Sequence, residues 1–254
     1  MALFVDGPAC SVEDLTNQDS GLLDVAQVNS INVTTKLRLA MEEIGAELQL
    51  WLLRPRPTLE LLWGPVLRIE QIVVTPTLKR WETAYALSLV YRDAYFSQLV
   101  DRYQARWREY SGLAHYARET FIATGLGLVA DPVRKAAVPA LSSIPGPQSG
   151  GTFYASVAWV NAASQQGAAS EAASITVLDN NLMMVTPPAA PSNATGYSVY
   201  VGSALGAMFR QNDIPLPTGT TFTYIPGLVT QGPLPGDGQA PDYTRPLVRT
   251  QLRG

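Results

Sequence analysis

The longest helical pattern in this sequence is "LKRWETAYALSLVYRDAYFSQLVDRYQARWREYSGLAHYARETF", Leu78 to Phe121. Its apolar and aromatic residues follow one another at steps of mostly three or four, which is the spacing of one face of an α-helix. The members of this stripe are Leu78, Trp81, Tyr85, Leu89, Phe96, Leu99, Tyr103, Trp107, Tyr110, Ala114, Ala117 and Phe121. A continuous helix of this kind would be roughly 65–70 Å long at 1.5 Å per residue. We therefore expect a long aromatic helix that packs on another helix or on another subunit.

The apolar stripe is interrupted once, between Leu89 and Phe96, where the position expected to be apolar holds Arg92 or Asp93. Two interpretations are open at this point: a local ion pair at the edge of the stripe, or a charged contact across a subunit boundary. Tyr91, Tyr95 and Tyr116 also lie off the stripe. Because tyrosine is enriched at protein interfaces, we predict that part of this set, together with Arg92 and Asp93, forms a subunit interface.

The residues before this segment also favour helices. Ser11 stands three residues before Asp14, which is the spacing of a capping box. Residues 21–53 have apolar positions at helical spacing, and the prolines of "RPRP", Arg54 to Pro57, should end that helix. Thr75 and Pro76 then supply an N-cap and a first-turn proline for the long segment.

Polar residues in the helical region give only weak indications of chemistry. Glu42, Glu43 and Glu47 form an acidic patch, which could be a solvated helix face or a pair of catalytic carboxylates. His115 is the single histidine and Cys10 the single cysteine, so zinc ligation of the usual kind is not expected. The sequence offers no catalytic constellation, and we predict a protein that is not an enzyme and holds no metal or cofactor.

The pattern changes to a period of two in the second half of the chain. In "TFYASVAWV" the residues Phe153, Ala155, Val157 and Trp159 would face one side of a strand. Further short segments follow with turn residues between them: "ASITVLD", "NLMMVTP", "TGYSVYVG", "AMFRQN" and "TTFTYIP". Six or seven short strands in about eighty residues are typical of an antiparallel β-sandwich of the immunoglobulin or fibronectin type III kind.

Composition divides the chain near Val138 to Gly151. Thirteen of the 19 prolines lie from Pro139 onward, whereas 14 of the 18 basic residues precede Pro145. The seam "VPALSSIPGPQSGG" has the Pro, Ser and Gly content of a linker. We therefore predict a multidomain chain, α then β, with these parts: helical domain 1–139, linker 140–148, β-sandwich 149–230 and extended tail 231–254.

The predicted tail has too few apolar residues to fold alone. Its spaced apolar and arginine side chains are Tyr243, Arg245, Leu247, Arg249, Leu252 and Arg253. Arginine forms paired hydrogen bonds with carboxylates, so this segment could dock on a partner and order there. A frayed terminus explains the same composition, and both interpretations stay open.

Whole-chain properties exclude several classes of protein. A net charge of −3 argues against general nucleic-acid binding, which needs a basic face. The N-terminal segment lacks the basic and apolar regions of a signal peptide, and no run approaches the ~20 apolar residues of a membrane-spanning helix. We expect a soluble chain that needs no oxidising compartment.

Two stretches carry a family resemblance. "VVTPTLKRWETAYALSLVYRDAYFSQLVDRYQARWREY", Val73 to Tyr110, precedes an Ala- and Pro-rich segment and then "ASVAWVNAASQQGAASEAAS". This order of aromatic helix, linker and β-module resembles a head–tail connector (adaptor, neck) protein of tailed bacteriophages with an added immunoglobulin-like domain. The helical resemblance covers about half of the chain and rests on element order, not on catalytic residues.

The resemblance implies a structural virion protein, made in the bacterial cytoplasm and located in the neck. Such proteins form a homo-oligomeric ring, usually dodecameric, that joins the portal protein to a tail or tail-terminator protein and extends the DNA channel. It implies that the helical domain makes the ring, that Glu42, Glu43 and Glu47 face the channel, and that the tail with Arg245 docks on the portal. DNA would pass without sequence-specific binding, and no membrane would be involved.

Two other functions compete with the connector. One is an oligomeric surface-binding protein whose immunoglobulin-like domain recognises a host glycan or protein. The other is an enzyme whose site the sequence does not display. A closed ring with a pore would favour the connector, and glycan binding by the β region would favour the surface-binding protein.

Overall fold

The computed structural model describes residues 1–53, 67–99, 101–225 and 229–247, which fall into two compact units. The helical unit contains the described residues of 4–130 and 241–247, and the β unit contains 1–3 and 131–240. The chain is therefore α then β as predicted. The division between the units lies at Ala130 and Asp131, earlier than the predicted linker.

The described part of the helical unit contains five α-helices: α1 (Val12–Gln18), α2 (Leu22–Val28), α3 (Val33–Leu53), α4 (Pro76–Gln98) and α5 (Asp101–Thr124). The capping box predicted at Ser11 is confirmed, because the Asp14 amide donates to Ser11 Oγ at 3.1 Å and the Ser11 amide donates to Asp14 Oδ2 at 2.8 Å. Thr75 caps α4 in the predicted way, with Pro76 in the first turn.

The expectation of one long aromatic helix is wrong. Helix α4 ends at Gln98, and Leu99 takes the left-handed conformation, with φ 53°. The helices then run antiparallel: Trp81 near the start of α4 meets Phe121 near the end of α5, with ring centroids 5.7 Å apart. A hairpin buries most of the stripe between its two helices and leaves Phe96 and Leu99, beside the turn, exposed. A single straight helix would leave much more of the stripe exposed.

The end of α5 leads into a short antiparallel strand pair. Strand β1 (Leu126–Leu128) pairs with β10 (Tyr243–Arg245), with Gly127 opposite Thr244. Gly125, between α5 and β1, has φ +88°, and a Cβ there would lie 2.6 Å from the carbonyl oxygen of Arg245. Glycine therefore ends α5, and it also permits the close approach of the returning chain.

The β unit contains two antiparallel sheets among its described residues. The strands of these two sheets are β2 (Ala140–Pro145), β3 (Gly151–Asn161), β4 (Ala173–Val177), β5 (Asn181–Thr186), β6 (Ala194–Gly202), β7 (Phe209–Arg210), β8 (Leu216–Pro217) and β9 (Phe222–Thr223). One sheet has three strands in the order β2-β5-β9. The other has the order β4-β3-β6-β7, and β8 also pairs with β6. Buried residues of both sheets, such as Val157, Trp159 and Val185, belong to one core cluster.

The predicted linker is largely a strand. Ala140 to Pro145 form β2, and Leu141 lies opposite Val185 of β5. Because β2 is at the edge of its sheet, the proline at its end removes no hydrogen bond that a further strand would need. An edge strand can therefore contain the Pro, Ser and Gly residues that are also typical of a linker. Residues 131–139 also belong to the β unit, where the Val133 amide donates to Gln239 Oε1 at 2.6 Å.

Candidate assembly surfaces

Tyr91, predicted at a subunit interface, lies in the core of the helical unit instead. Its side chain is 3% exposed, and its hydroxyl donates to Asp19 Oδ2 at 2.6 Å. The Tyr110 hydroxyl donates to the same oxygen at 2.9 Å, and the two tyrosine rings stack with centroids 5.4 Å apart. Tyr91 is off the stripe because it turns toward Asp19, in the connection between α1 and α2.

Asp19 is the charged centre of this cluster. Burial by itself would raise the pKa of its carboxyl, but hydrogen bonds from Tyr91, Tyr110 and the Gly21 amide outweigh burial and lower that pKa. Burial and the hydrogen bond to Asp19 raise the pKa of both tyrosines. The cluster therefore holds a carboxylate and two neutral phenols at neutral pH. Sequence periodicity gave no signal for Asp19.

Arg92 and Asp93 form local ion pairs, which agrees with the first of the two sequence interpretations. Asp93 pairs with Lys36 of α3, and Arg92 Nε lies 3.8 Å from Asp93 Oδ1. Tyr95 is half-buried and stacks on Trp107, with ring centroids 6.0 Å apart. The exposed parts of Arg92 and Tyr95 remain candidates for a subunit contact.

Tyr116 is the predicted interface residue that is most exposed, at 60%. The Arg80 guanidinium of α4 lies over its ring, 5.8 Å from the centroid. Beside them is a groove of about 340 Å³ between α1 and α5, to which Lys79 and Leu113 contribute. We call Arg80 of α4, together with Leu113 and Tyr116 of α5, the outer edge. Lys79 is already paired with Asp14 at 2.8 Å.

A second groove, of about 430 Å³, is lined by residues of α3, α4 and α5. Its lining residues are Glu43, Ile44, Glu47, Trp81, Tyr85, Ser88, Ser111, Ala114, His115 and Arg118. We call it the α3–α5 groove. Buried Trp81 and Ala114 give it an apolar floor, and exposed Glu43 and His115 stand at its rim. It therefore combines an apolar base with a charged margin.

Glu47 has its cationic partner within the helical unit. Arg118 Nε donates to Glu47 Oε1 at 2.7 Å, and the same guanidinium lies 5.6 Å from the centroid of the Trp51 ring. Glu43 instead accepts a hydrogen bond from the Tyr85 hydroxyl. Burial, followed by this contact with Glu43, raises the pKa of Tyr85 to about 12.

The three acids predicted to face a channel do not form one patch. Glu42 is exposed on α3, where its carboxylate lies 3.7 Å from Arg38. Glu43 and Glu47 turn into the α3–α5 groove. The reason is the helical rotation of about 100° per residue, which separates Glu42 from its neighbour.

Glu82 is a fully buried carboxyl that no motif in the sequence indicates. Its Oε1 accepts the Ala9 amide at 2.8 Å and lies 3.8 Å from Cys10 Sγ. Burial raises the pKa of Glu82 to about 7, and burial together with Glu82 raises the pKa of Cys10 to about 12. These groups fasten the segment before α1 to α4.

No group of three or more His, Cys, Asp or Glu side chains that could hold a metal is found in the described part of the chain. His115 is exposed at the rim of the α3–α5 groove. Among the helices that the structure describes, none combines the length and apolarity that a membrane span requires.

The predicted docking tail returns to the helical unit. Tyr243 and Arg245 lie in β10, and Leu247 packs against the cluster that contains Trp81 and Phe121. The Ala130 amide donates to Asp242 Oδ2 at 2.8 Å. This part of the tail is therefore not a free end. Arg249, Leu252 and Arg253 lie outside the described residues.

Comparison with known proteins gave no significant match to a protein-family model, a curated protein or a solved structure.

Proposed function

We propose that this chain is a structural subunit of a head–tail connector ring in a tailed bacteriophage. The observation that supports the proposal most is the pair of different exposed surfaces on the helical unit. One is the outer edge with Arg80 and Tyr116, and the other is the α3–α5 groove with Glu43. A ring needs a heterologous contact, in which two different patches of each subunit meet.

The β unit would be an immunoglobulin-like domain carried by the ring. Two antiparallel sheets that share one core, with Trp159 and Tyr197 fully buried, are consistent with such a domain. Its place in the chain after the helices is that of an added surface module. The helical unit would make the ring.

The partners follow from the position in the neck. The ring, dodecameric in the family that the chain resembles, would contact the portal protein on one side and a tail or tail-terminator protein on the other. DNA would pass through without specific binding, and exposed acids such as Glu42 would limit its adhesion to the channel wall. The ring would have no catalytic activity.

Native mass spectrometry and negative-stain imaging of the full chain test the connector proposal. We expect a closed ring with a central pore, either alone or on portal-bearing capsids. A chain that stays monomeric at all concentrations and does not bind such capsids would contradict the proposal.

A second function, recognition of a host protein or glycan by the β unit, is favoured by exposed apolar side chains. Ile214 is 80% exposed, and Leu178 and Leu205 are also largely exposed. Binding of the full chain to host cell surfaces, lost in Ile214→Ser, would support this second function.

A further inference from the structure

The two exposed surfaces of the helical unit face different directions. At about 100° of rotation per residue, Ser111, His115 and Arg118 cluster within about 60° of one another. By the same rotation, Leu113 points about 170° and Tyr116 about 130° away from the centre of that cluster. The α3–α5 groove and the outer edge therefore face different sides of the α4–α5 hairpin.

Each surface carries one exposed charge without an ion-pair partner among the described residues. On the groove side, Glu47 is paired with Arg118, whereas the partner of Glu43 in the described part of the chain is the Tyr85 hydroxyl. On the outer edge, Arg80 has the Tyr116 ring and no carboxylate within ion-pair distance in the described ranges. An exposed carboxylate on one side and an exposed guanidinium on the other are electrostatically complementary.

We propose that the outer edge of one subunit docks in the α3–α5 groove of a second copy, with Arg80 paired to Glu43 of that copy. This assignment rests on the proposed ring function and names the surfaces that would build the ring. Tyr116 would lie against the apolar floor, formed by Trp81 and Ala114, in a groove of about 430 Å³. An aromatic ring beside an arginine is a frequent centre of protein interfaces, because both bury large area and keep a polar group available.

The proposed contact propagates from subunit to subunit. Because the docking side and the accepting side differ, a dimer still has one free outer edge and one free groove. Such a heterologous contact continues until the rotation closes a ring. The acidic rim favours a guanidinium over a nucleic acid as occupant, since the phosphate backbone would be repelled by Glu43.

Charge reversal tests the contact. Sedimentation velocity would compare the wild type, Glu43→Arg, Arg80→Glu and the double variant. Each single reversal places like charges together, and we expect it to raise the concentration for half-assembly by about tenfold or more. The double variant should restore assembly, because the same pair forms with its charges exchanged. Lys135→Glu, which reverses a charge in the β unit, is the matched control and should assemble like the wild type.

Fold and assembly must be separated in this experiment. Circular dichroism and thermal melts should show the same helicity for all variants. If Glu43→Arg disturbs the fold, Glu43→Gln and Arg80→Gln remove the charges more gently, and each should still weaken assembly.

Two results would overturn the assignment. One is a wild-type ring that both single reversals leave unchanged, which would refute this contact and leave the connector proposal standing. The other is a double variant that assembles no better than the single ones. A wild type that never assembles, even on portal-bearing capsids, would refute the connector proposal itself.

Discussion

The hydroxyl of Tyr91 donates a 2.6 Å hydrogen bond to the carboxylate of Asp19, 72 residues earlier in the chain. Tyr110 donates to the same oxygen from the next helix. One carboxylate therefore ties the connection between α1 and α2 to both helices of the α4–α5 hairpin. This arrangement fixes which side of the hairpin the short N-terminal helices cover.

Replacing Tyr91 by Phe should destabilise the helical unit by about 1.5–3 kcal/mol, the usual contribution of a hydrogen bond to a charged group. Chemical denaturation of the full chain measures the change in the free energy of unfolding. Tyr116→Phe is the matched control, since the Tyr116 ring is exposed and its variant should unfold like the wild type. Equal effects of the two variants would mean that the Asp19 contact contributes little.

Asp19 also predicts an acid-dependent loss of stability. Its pKa in the folded chain is lower than the ordinary value of 3.8, so folding favours the ionised form. The stabilisation is complete above pH 3.8 and is lost as the pH falls through the lower, folded value. Asp19→Asn should reduce the free energy of unfolding near neutral pH and flatten its dependence at acid pH. A variant with the acid dependence of the wild type would contradict the assignment.

The raised pKa of Glu82 predicts that its contribution to the free energy of unfolding changes with pH in the opposite direction. Burial raises its folded pKa to about 7 from 4.5, so the folded chain binds a proton that the unfolded chain releases. Its contribution to stability therefore falls as the pH rises from 4.5 to about 7, and then stays constant. Glu82→Gln should remove this dependence and raise stability at pH 8, by at most about 3 kcal/mol.

Thermal melts between pH 4 and pH 9 measure this Glu82 effect. Cys10 lies beside Glu82, and its pKa of about 12 is above this range. Glu42→Gln, at an exposed position of α3, is the control and should keep the wild-type profile. An unchanged profile in Glu82→Gln would show that Glu82 does not titrate there.

Trp81→Ala should destabilise the helical unit by about 3–5 kcal/mol, because it leaves a cavity where the rings of Trp51 and Phe121 meet. Tyr116→Ala should change the free energy of unfolding by no more than about 0.5 kcal/mol, as expected for a surface position. Thermal melts measure both effects. Similar losses in the two variants would place Tyr116 in the folded core of the subunit.

Two truncations separate the parts of the C-terminal segment. A chain ending at Pro241 loses β10 and the packing of Leu247, so its melting temperature should fall by several degrees. Differential scanning calorimetry compares it with a chain ending at Leu247, which keeps both. An unchanged melting temperature after removal of β10 would mean that the β1–β10 pair does not support the helical unit.

The amino-acid sequence by itself determined the type of most elements. The helix starts at Ser11 and Thr75, the glycine at the end of α5 and the alternation of β3 are local features, since each depends on residues a few positions apart. The order α then β follows from the same local periodicities. Capping and burial of one face act within single elements, and a sequence pattern records them directly.

Only the tertiary structure decided which surfaces meet. The chain reverses at Leu99, which takes the left-handed conformation without the glycine that usually indicates a helix end. This reversal turns one predicted helix into a hairpin. Tyr91 is buried because Asp19 accepts its hydrogen bond, and the predicted linker is a strand because β5 lies beside it. Likewise, β10 is held by β1, more than a hundred residues away. These outcomes depend on partners distant in sequence, so no local pattern in the chain could specify them.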